Sequence, residues 1–143
     1  MSDDRFDLER FVRAQEGVHE QALAELRAGA KRSHWMWFVF PQLVGLGRSA
    51  TAQRYGIAGL AEARAYLAHP VLGPRIVEAA AVAAAAPARS ADALFGGVDA
   101  MKTRSSATLF ARAADDPTPF RAVLDRWFHG TEDPLTVRLL EDD

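Results

Sequence analysis

The chain has 143 residues, 49% of them hydrophobic, with a net charge of −2 and no cysteine. That length supports one domain, able to bury roughly 70% of the surface its unfolded chain exposes. The missing cysteines exclude disulfides, thiolate metal sites and cysteine nucleophiles. The small negative charge argues against general nucleic-acid binding.

No apolar run approaches the ~20 residues of a membrane span. The charged stretch Ser2 to Arg10 does not read as a signal peptide. A cytoplasmic protein with no membrane partner is expected.

Asp7 can cap a first helix with Leu8, Phe11 and Val12 on one face. Gly17 interrupts the pattern, which Val18, Ala22, Leu23 and Leu26 resume until Gly29. The aromatic run Trp35 to Phe40 fits a buried strand or a buried helical turn. Ser33 before it, Pro41 after it and the helical surroundings favour a short helix. Ser49 can cap a short helix toward Tyr55, and Ala61 to Ala68 forms another, ended by His69-Pro70. A long helix then runs from Pro70 or Pro74 to Ala86, with an alanine-rich tail of high helix propensity. Ser90 can cap a turn through Phe95, broken by Gly96-Gly97. The next helix starts at Val98 or Ser105 and runs to about Ala114. Thr118-Pro119 opens an amphipathic helix ending at Gly130, and Asp133-Pro134 opens the last. The fold expected is all-α, a single domain over 1–143 of about six to eight helices, with flexible acidic ends over about 1–5 and 141–143.

Charge is distributed unevenly. No acid lies between Leu26 and Ala61, nor between Ala100 and Ala114, yet both stretches carry cations. The only lysines, Lys31 and Lys102, fall one in each; everywhere else the chain uses arginine. Should these stretches meet in space, they make a local positive field that attracts a small anion.

Two constellations could carry chemistry. In the first, Lys31, Ser33, His34, Trp35 and Trp37 are followed closely by Gln42. Indoles beside polar donors suit the wall of a site that stacks a flat ligand. His34 titrates near neutrality and is a candidate general acid or base. The competing role for these rings is the central core, with His34 bonded to backbone. In the second, Lys102 leads into Ser105 and Ser106. A helix starting at these serines would aim free N–H groups and hydroxyls at an anion. Serine at an ordinary capped helix start is the competing role. Gln15 could hydrogen-bond a ligand or a buried backbone group. His34 and Lys102 are the candidate catalytic residues; Gln15, Lys31, Ser33, Trp35, Trp37, Gln42, Ser105 and Ser106 are the candidate ligand-binding residues. The four histidines have no ligand spacing, so no metal site is expected.

The strings Phe11-x-x-Ala-Gln15, Lys31-x-Ser33-His34-Trp-Met-Trp-Phe-Val-Phe-Pro41-Gln42, Gly45-Leu-Gly47-x-Ser49, Tyr66-Leu-x-His69-Pro70, Lys102-x-x-Ser105-Ser106 and Thr108-Leu-Phe110 together resemble the domain of unknown function 1810 family. Some of its members carry the label "calpastatin". The likeness spans nearly the whole chain; one departure is Ala107, where the family pattern usually has methionine. The resemblance implies a single, mainly helical domain and supplies no activity, cofactor or catalytic residue.

Function is therefore expected in one of two forms. One is a small-molecule site for an anionic, nucleotide-like ligand, enzymatic or not, which requires the 31–42 and 102–108 segments to converge. The other is a protein-interaction module, acting as a monomer or a homodimer.

Overall fold

The computed structural model describes residues 5–141. For 1–4 and 142–143 the expected flexibility lies outside the described residues. Glycine and proline punctuate the chain much as their backbone preferences dictate. α1 (Glu9–Gln15) and α2 (Val18–Arg27) are separated by Gly17, whose φ of 72° no other residue type adopts so readily. Leu8, not Asp7, holds the N-cap position of α1. α3 (Met36–Val39) is the aromatic run, a single helical turn stopped before Pro41. α4 (Ala50–Arg54) and α7 (Ala91–Phe95) start at Ser49 and Ser90, whose hydroxyls accept from Ala52 N and Ala93 N at 3.0 Å. α5 (Leu60–Ala68) ends at His69-Pro70, and the His69 ring then caps α6 (Leu72–Ala84) by accepting from Val71 N and Leu72 N.

The remaining helices are α8 (Gly97–Ala113), α9 (Thr118–Phe128) and α10 (Pro134–Glu141). That makes ten helices and no strand among the described residues, where six to eight helices were expected. The surplus comes from elements of 4 or 5 residues, α3, α4 and α7. Each is located in the sequence by its flanking serine, but so short a turn need not form a helix without tertiary contacts, and all three do. α8 starts at Gly97, so Ser105 and Ser106 lie in mid-helix. Their N–H groups belong to the helix ladder, and the anion-binding helix start considered for them is not there.

The core forms around α6, which packs against α9, α2 and α5. Its Ala79, Ala80 and Ala83 are fully buried, and their methyl groups let neighbouring backbones approach closely. The Trp127 indole donates to Ala83 O at 2.8 Å. A second layer is aromatic: Tyr66 meets Phe11 and Phe110 at centroid distances of 5.2 Å each, and Phe110 meets Phe120 at 5.8 Å. Each such ring contributes roughly 1.5–3 kcal/mol by burial. The segment after α3 is pinned by one parallel bridge, Leu43 to Ile57, with Ile57 N donating to Gln42 O and Val44 N to Ile57 O at 2.9 Å. This bridge holds Gln42 and the Leu46–Gly47 turn beside α8. No helix of the described residues is long and apolar enough to cross a membrane.

Candidate functional site

The two lysines do come together. α3 packs on α8, which brings the 31–37 segment to the first turns of α8. There the Lys31 ammonium lies 2.8 Å from Asp99 Oδ2, and the Lys102 ammonium 3.8 Å from Asp99 Oδ1. Lys31 also donates to Ser33 O. Each ammonium covers an indole: Lys31 sits 5.0 Å from the Trp35 ring centre, and Lys102 4.7 Å from that of Trp37. Two cations around one carboxylate leave a surplus of one positive charge.

A carboxylate from α2 organises the segment between these lysines. Glu25 Oε1 accepts from Arg32 N at 2.6 Å, Ser33 N at 2.9 Å and Trp35 Nε1 at 2.9 Å. Its Oε2 accepts from Ser33 Oγ at 2.6 Å and from Gln21 at 3.2 Å. Burial alone would push the Glu25 carboxyl up. The hydrogen bonds from Ser33, Arg32 and Trp35 outweigh it and bring the pKa down to about 2. Ser33 and Trp35 thereby have partners within the protein, and the Trp35 ring is only 1% exposed.

Beyond Lys102 a cavity of about 210 Å³ opens between α8, the Gln42–Gly47 segment and the start of α10. Its polar lining is Gln42, Lys102, Ser105 and Asp133, and its apolar lining is Leu46, Val98, Met101 and Leu135. Val98, Met101 and Leu135 are 69%, 72% and 57% exposed, unusual for side chains of that type grouped at one place. The Asp133 carboxylate is engaged: it accepts from Thr136 N at 3.0 Å, capping α10, and lies 3.2 Å from Ser105 Oγ. Asp133 N in turn donates to Thr108 Oγ1, tying α10 to α8. The Gln42 amide has no protein partner among the described residues.

Of the residues singled out by sequence, Gln42, Lys102 and Ser105 thus share one cavity, with Trp37 stacked under Lys102. Ser106 is 1% exposed, one helical turn beyond Lys102, and its hydroxyl is unpaired, as is the buried Trp37 Nε1. Gln15 lies elsewhere, on α1, where its amide donates to Phe38 O at 2.7 Å and to Tyr66 Oη at 2.9 Å, and accepts from Arg75 at 3.3 Å. Burial raises the Tyr66 phenol well above its ordinary range, so it stays protonated. His34 is exposed, does not line the cavity and makes no hydrogen bond or ion pair with the described residues. No group of three His, Asp or Glu among the described residues could hold a metal ion.

Sequence reasoning missed Glu25, Asp99, Asp133 and the apolar rim. A signal was present for the first two: Glu25 and Asp99 are the last acids before the two acid-free stretches, the positions from which a carboxylate can reach each lysine segment.

The chain belongs to the family of proteins of unknown function DUF1810, whose model matches residues 5–140. No curated protein matches it. It is similar to the crystal structure of the conserved hypothetical protein Rv1873 from Mycobacterium tuberculosis, with 53% identity and a TM-score of 0.94, over 96% of this chain and 99% of that one.

Proposed function

We propose that this member of a family without an assigned activity is a small-molecule binding protein, and that its ligand, anionic with an apolar portion, occupies the cavity beside Lys102. What carries the reading is the lining itself: Gln42 from one distant stretch, and Lys102 and Ser105 from another, face a single recess. The Lys102 ammonium, 3.8 Å from Asp99, favours an anionic group at its own end of the recess, away from the Asp133 carboxylate that lines the same space. The exposed Val98, Met101 and Leu135 favour apolar surface at the other. The recess of about 210 Å³ is open to solvent, so a ligand larger than the recess, a nucleotide-like one included, can project from it. His34 is exposed and does not line the cavity, and the Asp133 carboxylate that does is engaged by Thr136 and Ser105, which supports binding without chemistry.

The test is a thermal-shift screen of small anionic metabolites on the wild type and on Lys102→Ala. A true ligand at 100 times its Kd adds about 2.7 kcal/mol, a rise of roughly 5–11 °C for a domain of this size. A library that moves neither protein, or moves both equally, defeats the proposal.

One observation favours a second reading, a protein-interaction module: the same three apolar side chains are more exposed than a small ligand needs. In that case Met101→Glu abolishes capture of a protein partner or of a second copy, and no small molecule competes.

A further inference from the structure

The recess beside Lys102 carries charges of both signs. Lys102 comes to it from α8 and Asp133 from the residue before α10, and both belong to its lining. They are neighbours: Lys102 and Ser105 are one turn apart on α8, and Ser105 Oγ stands 3.2 Å from Asp133 Oδ2. Yet they do not pair with each other, because the Lys102 ammonium turns to Asp99 at 3.8 Å. The Asp133 carboxylate is used unevenly. Its Oδ2 accepts from Thr136 N at 3.0 Å, from Thr136 Oγ1 at 2.5 Å and from Ser105 Oγ. Its Oδ1 accepts from nothing among the described residues. Capping α10 takes one oxygen, which a serine or threonine would supply as well. The second oxygen is therefore spare, and the bonds to the first hold it in place.

We propose that the recess takes a small zwitterion, an amino acid with an apolar side chain, whose carboxylate meets Lys102 and whose ammonium meets Asp133 Oδ1. The inference rests on the binding reading above and adds a cationic group to the acid and apolar portions given there. Charge supports it. Asp133 balances the one positive charge that Lys31 and Lys102 leave around Asp99, so the four groups together are neutral, as a zwitterion is. An amino acid carries its two charged groups on one carbon, which suits a cation and a carboxylate at neighbouring positions. Its ammonium offers three hydrogens. Asp133 Oδ1 accepts one, and the carbonyl of the unpartnered Gln42 amide, in the same lining, can accept a second. The apolar side chain rests on Val98, Met101 and Leu135, which are otherwise left to solvent.

Leucine is the probe, beside 4-methylpentanoate, which lacks its amino group, and 3-methylbutan-1-amine, which lacks its carboxylate. Affinity is read from the Val98 and Leu135 methyl signals of the 13C-labelled protein. Leucine should shift both saturably, and each analogue should bind about tenfold more weakly or worse, the worth of one charge-assisted contact. Asp133→Asn keeps an oxygen for the α10 cap and removes the charge. It should weaken leucine about tenfold and leave 4-methylpentanoate unchanged. Lys102→Met should weaken leucine and 4-methylpentanoate and leave the amine unchanged. Equal affinity of the wild type for leucine and 4-methylpentanoate would overturn the inference, because the ammonium would then have no partner, while the binding reading would stand. Undiminished leucine binding by Asp133→Asn would do the same. If leucine moves neither methyl signal, the inference falls as well, and the metabolite screen alone then judges the binding reading.

Discussion

Lys31 and Asp99 meet at 2.8 Å with the lysine side chain only 6% exposed, joining the segment after α2 to the first turn of α8. An ion pair this enclosed is costly to break from one side, because the remaining charge stays desolvated. Lys31→Met should destabilise the protein by about 2 kcal/mol, a loss softened because Lys102 stands close enough to turn to Asp99. Asp99→Leu should cost more, about 3 kcal/mol, since it strands Lys31. The double variant Lys31→Met/Asp99→Leu should recover most of the loss. Urea unfolding of all three tests this; additive single effects would show that the pair does not act as a unit.

Glu25 makes stability depend on acid pH. Its carboxyl titrates near 4.5 when free and about 2 in the folded protein, so between those values the unfolded chain binds more protons. The stabilisation is complete above pH 4.5 and disappears as pH falls toward 2. It amounts to about 2 kcal/mol, allowing for the solvent that reaches the group. Glu25→Gln should flatten the stability profile over that window and loosen the Arg32–Trp35 segment at neutral pH. A variant with the wild-type slope would assign the acid sensitivity to other carboxylates.

The crossing of α5 and α6 depends on a hydrogen atom. A Cβ at Gly73 would stand 2.1 Å from Leu67 O, a backbone atom that cannot swing aside. Gly73→Ala should therefore destabilise by about 3 kcal/mol despite the better helix propensity of alanine. Thermal unfolding distinguishes this from the stabilisation expected at an open helical glycine.

Ser106→Ala should be neutral or stabilise the ligand-free protein by about 1 kcal/mol, because it deletes a buried hydroxyl that has no partner. A loss above about 1 kcal/mol by denaturant titration would mean that the hydroxyl is satisfied inside the fold.

Helical class and most helix ends were legible because they are local. Ser49, Ser90, Gly29 and Asp133 each act at the turn or cap their sequence context implied. The serines at 105 and 106 misled because their residue type favours a helix start, while the chain had already turned helical at Gly97. The acid-free stretches singled out the two segments but posed their meeting only as a condition; the packing of α3 on α8, which no local pattern encodes, puts Gln42, Lys102 and Ser105 on one cavity. The apolar rim could not be read at all. Val98, Met101 and Leu135 look like ordinary core residues in sequence, and only the course of α8 past α10 leaves them facing outward.

The Trp127 bond to Ala83 O has a kinetic side. Arg126 adds bonds from α9 to Ala86 O and Ala88 O at 3.3 Å, so one carbonyl in the last turn of α6 and two in the segment that follows it accept from side chains of another helix. Unwinding the end of α6 therefore requires α9 to leave with it. Amide protons of the two helices then exchange with solvent through one shared opening, at one common rate, and the centre of the molecule breathes as a pair of rods or not at all.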